Sequence, residues 1–348
     1  MEIKGSEKMY TSVTLRIEVS EVTGLPGPLH TVASVFLPDA NKLTATPVVI
    51  FAFPGGGYGR GYYFFDMPGS DFGGQAGYHL ARHDWIFVAC DPLGTGDSSI
   101  PDPYSLTLEA ITAANKATVE HVMALLQSGE LDISYPAVTG AVRIGLGQSM
   151  GAGFTILLEG TIPTFDGVCI LGWSAIHTAP NAQQPPPAEG DPAQAFIETV
   201  RQASRREGFS RGFHYSDVPE DIIAADMTDY PVRNGKVPIW GSATIPYCAR
   251  ALLGSGALQS QAAAIETPVF VGVGEIDLVP DLRREPAAYA KSPDITVAAF
   301  PRMAHMHNFS PSRTLLWDRV AVWIDGVRRT AAESKARSRN VPAPDQQS

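Results

Sequence analysis

The chain has 348 residues, of which 44% are hydrophobic, and carries 26 basic against 36 acidic side chains for a net charge of −10. That is enough apolar material for one large core, and the acidic balance without any basic block argues against nucleic acid or an anionic membrane as the main partner. The opening "MEIKGSEKMY" lacks the apolar core of a signal peptide and no later segment has the apolar length to span a bilayer, so a cytoplasmic protein is expected. Cys90, Cys169 and Cys248 are far apart, without a Cys-x-x-Cys, and read as free thiols.

In chain order, "TSVTLRIEVS" and "HTVASVFLPD" alternate apolar and polar residues, as half-exposed strands of an antiparallel opening do. "TPVVIFAFP", "WIFVACD", "VRIGLGQS", "GVCILGW", "TPVFVGVG" and "DITVAAFP" are short continuous apolar runs, the pattern of strands covered on both faces of a parallel sheet. Helical spacing fills the intervals, most clearly in "SLTLEAITAANKATVEHVMALLQSG", where Leu108, Ile111, Val119, Val122 and Leu126 share a face and Gly129 supplies a stop. A last helix is predicted over roughly residues 311–325, with Ser310 as its cap.

Alternating strands and helices predict an α/β fold with a mostly parallel twisted sheet flanked by helices. The stretch 174–266 is far longer than one crossover requires and is read as an inserted helical lid, entered through the Pro-rich "APNAQQPPPAEGDPAQ". The core then comprises residues 1–173 and 267–328, and the polar stretch 329–348 is read as a disordered tail.

In "RIGLGQSMGAGF", Ser149 stands where an apolar strand ends and a helical pattern begins, with Gly147 two residues before it and Gly151 two after. A serine on a sharp strand-to-helix turn needs such neighbours, because any side chain there would keep strand and helix apart. A hydroxyl is a weak nucleophile until a base takes its proton and a carboxylate orients that base. Asp277 follows a predicted strand in "VFVGVGEIDLVPD", with Glu275 as the alternative, and the loop of "RMAHMHNF" holds two histidines. His307, nearer the final helix and followed by Asn308, is taken as the base, with His305 as its alternative; a His-x-His metal pair lacks a third ligand of suitable spacing. Two donors for an oxyanion are expected from the backbone N–H of Met150 and from the glycine run of "FPGGGYG", at Gly56 or Gly57.

Together these stretches resemble the α/β-hydrolase superfamily. "GQSMG" is similar to its nucleophile elbow, "FPGGGYG" to its oxyanion loop with Pro54 where many members carry histidine, and "DPLGTGDSS" to a stretch after its fourth strand. The resemblance implies the α/β-hydrolase fold over residues 10–328 and a serine esterase or lactonase, with no metal or organic cofactor and a small-molecule ester or lactone as partner. Tyr58 and Arg60 beside the glycines, and Trp240 in the insertion, are the expected substrate-facing side chains; the competing reading of Phe64 and Phe65 is core. Carbon-carbon bond hydrolysis and acyl transfer would use the same set, a non-catalytic binding module is the remaining class, and either a monomer or a homodimer is compatible with it.

Overall fold

A computed structural model describes residues 10–132, 134–176, 190–254 and 256–339. Among these, eight strands form one sheet: β1 (Thr11–Glu18), β2 (His30–Leu37), β3 (Val48–Phe53), β4 (Ile86–Asp91), β5 (Val142–Gln148), β6 (Gly167–Leu171), β7 (Val269–Ile276) and β8 (Ile295–Ala304). Their order is β1-β2-β4-β3-β5-β6-β7-β8; β2 pairs antiparallel with both β1 and β4, and every other pairing is parallel.

The helices are α1 (Ser20–Thr23), α2 (Gly74–His83), α3 (Leu108–Ser128), α4 (Met150–Thr161), α5 (Pro192–Ser204), α6 (Phe209–Phe213), α7 (Glu220–Met227), α8 (Gln259–Ala264) and α9 (Arg313–Arg339). Strand pleating divides the core. Val49, Phe51 and Phe53 of β3 face one apolar cluster with residues of α3 and α4, whereas Val48, Ile50 and Ala52 face the other with residues of α2 and α9. With helices on both sides, every residue of β3 and β4 is buried, which is why these strands read as unbroken apolar runs. β1 does alternate, but β2 does not: it is inner, between β1 and β4, and seven of its eight residues are buried.

α3 starts where Thr107 accepts a hydrogen bond from the Ala110 N–H and stops at Gly129 in the left-handed conformation (φ 74°), as its sequence predicts. Two boundaries differ. α9 continues past the expected stop near Asp325 to Arg339, since "RRTAAESKAR" is rich in strong helix formers and the next proline is Pro342. α8, within the stretch read as a lid, belongs to the body of the fold: Ala262 and Ile265 are fully buried, and a Cβ on Gly160 of α4 would lie 2.2 Å from the Gln261 carbonyl oxygen. Most of the Pro-rich stretch falls at 177–189, outside the described residues, as do 340–348 of the expected tail. Among the described residues, no helix is long and apolar enough to cross a membrane.

Parallel strands bring their C-terminal ends to one edge of the sheet. The loops leaving β3, β5, β7 and β8 therefore converge there, the place where open α/β sheets put their ligands.

Candidate active site

Ser149 joins β5 to α4 with φ 53° and ψ −120°, a conformation that non-glycine residues rarely hold. The packing around it accounts for both glycines. A Cβ on Gly147 would lie 2.3 Å from the Gly151 carbonyl oxygen, and one on Gly151 would lie 2.0 Å from that of Phe53. Strand and helix thus meet backbone to backbone, and Ser149 is fixed by its N–H donating to the Leu171 carbonyl at 2.8 Å and by its own carbonyl accepting from Ala152 and Gly153.

His305 follows β8. Its Nε2 lies 2.9 Å from Ser149 Oγ and its Nδ1 lies 2.7 Å from Asp277 Oδ1. The base expected from the sequence, His307, is not in contact with the serine: its Nε2 lies 2.9 Å from Asp277 Oδ2. His305 and His307 take opposite oxygens of one carboxylate, and only the earlier of the two extends across it to Ser149.

Asp277, beyond β7, accepts further from the Gly274 N–H at 2.8 Å and the Leu278 N–H at 2.7 Å. Burial alone would raise its pKa, but the neighbouring His305 and the hydrogen bonds from both histidines outweigh this and hold the carboxyl well below the usual range. Glu275, the alternative acid, is exposed and accepts instead from the Arg302 N–H and Tyr215 Oη.

The His305 loop is held from two sides. Gln148 Nε2 donates to the His305 carbonyl at 2.9 Å, while the N–H groups of His305 and Met306 donate to the carbonyls of Gly212 and Phe213 in α6 at 3.0 and 2.9 Å. The Phe213 ring lies 5.0 Å from the imidazole of His305, centroid to centroid.

The glycine run after β3 sits alongside. A Cβ on Gly55 would come within 3.2 Å of Ser149 Cβ and 2.6 Å of Gln148 Oε1, and one on Gly56 within 3.0 Å of Ile245 and 3.6 Å of Met150 Sδ. Gly57 has φ 82°, and a Cβ there would meet the Pro231 carbonyl at 2.6 Å. Gly55 and Gly56 border the serine turn, and Gly57 faces the insertion.

No protein-family model matches the sequence, and no curated protein matches it either. Solved structures do match. A thermophilic esterase from Thermogutta terrifontis superposes with a TM-score of 0.60 at 16% identity, over 90% of this chain and 99% of that one. A peroxisomal alpha-beta-hydrolase from Saccharomyces cerevisiae gives 0.58 at 13% identity (98% and 93%), and a bromoperoxidase from Bacillus anthracis 0.57 at 15% (90% and 99%).

The chain has the α/β-hydrolase fold.

Within this α/β-hydrolase fold, the three side chains expected to meet substrate are committed elsewhere. Tyr58 is 1% exposed and its Oη donates to Asp226 Oδ2 at 2.7 Å; Trp240 Nε1 donates to Asp226 Oδ1 at 2.8 Å. Asp226 is fully buried and also pairs with Arg233 Nη2 (2.9 Å) and His214 Nε2 (2.9 Å), so aromatic residues read as a substrate wall are donors to a buried carboxylate. Arg60 bridges Asp91 at 2.5 Å and Asp97 at 2.6 Å, with Nε donating to Ser34. Asp91 opens "DPLGTGDSS", and the loop folds so tightly over it that a Cβ on Gly96 would overlap its carboxylate. Phe65 packs against Trp240 and Phe309, and Phe64 against Phe36, so both belong to the core.

Sequence reasoning missed Gln148, whose only signal is adjacency to Ser149, and Asp226, His214 and Arg233, which carry no motif at all.

Proposed function

We propose that the protein is a serine hydrolase of carboxylic esters or lactones that works through an acyl-enzyme on Ser149. The observation that carries this reading is the continuous line Ser149 Oγ, His305 Nε2, His305 Nδ1, Asp277 Oδ1, with contacts of 2.9 and 2.7 Å. Because Nδ1–H donates to Asp277, Nε2 is left bare and accepts from the serine hydroxyl.

As Oγ attacks the substrate carbonyl carbon, Nε2 takes its proton and the ionised Asp277 stabilises the resulting imidazolium. The tetrahedral oxyanion is received by the Met150 N–H at the start of α4, aided by the helix dipole, and by an N–H of the Gly56–Gly57 run. The imidazolium then gives its proton to the leaving alkoxide, and water repeats the sequence in reverse to release the acid. This chemistry draws on side chains and backbone alone. Ile245 and Phe213 from the insertion, with Met150, give the site apolar walls and favour an uncharged substrate.

The test is labelling with a fluorophosphonate followed by peptide mapping, alongside hydrolysis of a p-nitrophenyl ester panel. One adduct on Ser149, absent in Ser149→Ala together with turnover, is the expected result. A folded protein that takes no label and cleaves no ester or lactone refutes the reading.

A further inference from the structure

Asp277 meets two imidazoles, and the proposed mechanism uses only one. We propose that His307 is a positioning residue that sets the orientation and charge of Asp277 from the oxygen opposite His305; this rests on the serine-hydrolase reading above.

The tautomer follows from the partner. Asp277 is ionised, so the 2.9 Å contact between its Oδ2 and His307 Nε2 requires Nε2 to carry hydrogen and donate. Nδ1 of the same ring is buried with no hydrogen-bond partner among the described residues. The imidazole, whose side chain is 1% exposed, makes a single hydrogen bond among the described residues, and that bond is to Asp277.

The surroundings fix the ring in place. Asn308, the next residue, donates its N–H to Tyr62 Oη at 3.0 Å and its Nδ2 to the Tyr62 carbonyl and Gln75 Oε1, while its Oδ1 accepts from Trp317 Nε1 at 2.9 Å. The short turn bearing His307 is therefore locked to α2, α9 and the loop after β3, none of which carries the nucleophile.

Two consequences follow for Asp277. Its carboxylate plane is pinned at both oxygens, so Oδ1 stays aligned with His305 Nδ1. The second imidazole N–H also draws negative charge to Oδ2, which lowers the basicity of Oδ1 and keeps the proton on His305 when the imidazolium forms. Without His307, Oδ2 retains only the Gly274 N–H among the described residues.

Two polar substitutions separate this role from packing. His307→Gln can place an amide N–H where Nε2 was; His307→Asn places it nearer Nδ1, beyond reach of Asp277. Expected are a kcat within about threefold of wild type for His307→Gln and a fall of about tenfold to a hundredfold for His307→Asn, the scale of a small misalignment in a reacting constellation. KM should stay within about twofold, melting temperatures should match, and the rate of fluorophosphonate labelling should follow kcat. Equal rates in both variants and wild type overturn the proposal, as does an equal loss in both, which would mark generic packing. Absence of Ser149 labelling in the wild type is a different result and would remove the serine-hydrolase reading beneath it.

Discussion

Asp277 and Asp226 are both buried carboxylates, each touched by a histidine at hydrogen-bond distance, yet they serve opposite ends. Asp226 faces Arg233, a fixed cation that is 2% exposed, together with Tyr58, Trp240 and His214. Its charge is permanently matched, and the set ties the insertion to the loop after β3. Among the described residues Asp277 has no arginine or lysine partner; it is surrounded by backbone N–H groups and two imidazoles. In the proposed mechanism its counter-charge arrives when His305 takes the proton of Ser149. A carboxylate closed by a fixed cation holds structure, and one closed by a titrating ring can assist proton transfer.

Exchanging the charge at each position is the sharpest way to break this contrast. Asp277→Asn should lower kcat by about 10⁴, since the amide favours the wrong tautomer of His305, while the fold persists; steady-state kinetics and circular dichroism measure the two effects, and a modest loss of activity would contradict the role given to Asp277. Asp226→Ala should act the other way. It strands Arg233 in the interior and should reduce unfolding free energy by about 3–5 kcal/mol in denaturant titrations, with kcat of the folded fraction within about threefold. An Asp226→Ala protein of normal stability and lost activity would reverse the assignment.

A histidine with no carboxylate partner among the described residues sharpens the comparison further. His79 is fully buried against Trp85 and Phe87, and burial, with the nearby His83, pushes its pKa down to about 3. The unfolded chain binds this proton below the ordinary value near 6.5 and the folded chain does not. Stability therefore falls as pH drops from about 6.5 towards 3, by at most about 1.4 kcal/mol per pH unit from this group. Asp277, whose pKa is lowered, contributes stability that is lost only at pH values below about 4, so the two windows overlap only there and the range from about 6.5 to 4.5 is free of the Asp277 contribution. His79→Phe should flatten the fall in melting temperature between pH 6.5 and 4.5 relative to wild type, and parallel profiles would show that His79 is not the source.

The sheet was legible because doubly covered strands must be apolar on both sides, so "TPVVIFAFP" and "WIFVACD" announce burial without structural help. The serine turn was legible because Gly147 and Gly151 are sterically compelled. The choice between His305 and His307 was not: they lie two residues apart, both reach the same carboxylate, and only the distance to Ser149 distinguishes them. Tyr58, Arg60 and Trp240 misled for a related reason. Tyr58 and Arg60 follow the glycine run in the chain and Trp240 lies in the insertion, but nothing local marks their partners: Tyr58 reaches Asp226 168 positions away, Arg60 reaches Asp91 31 away and Trp240 reaches Asp226 14 away.

The two backbone hydrogen bonds from His305 and Met306 to α6 bear on how this scaffold could be re-engineered. Gly212 and Phe213 accept from the histidine loop, and Tyr230 and Arg233 donate to the carbonyls of Gly56 and Gly57, so exchanging this segment for the cap of another protein removes supports of both loops. A chimera that replaces the whole insertion would lose the two backbone hydrogen bonds that hold the His305 loop. Recombination boundaries drawn outside residues 212–240 would keep these supports in place.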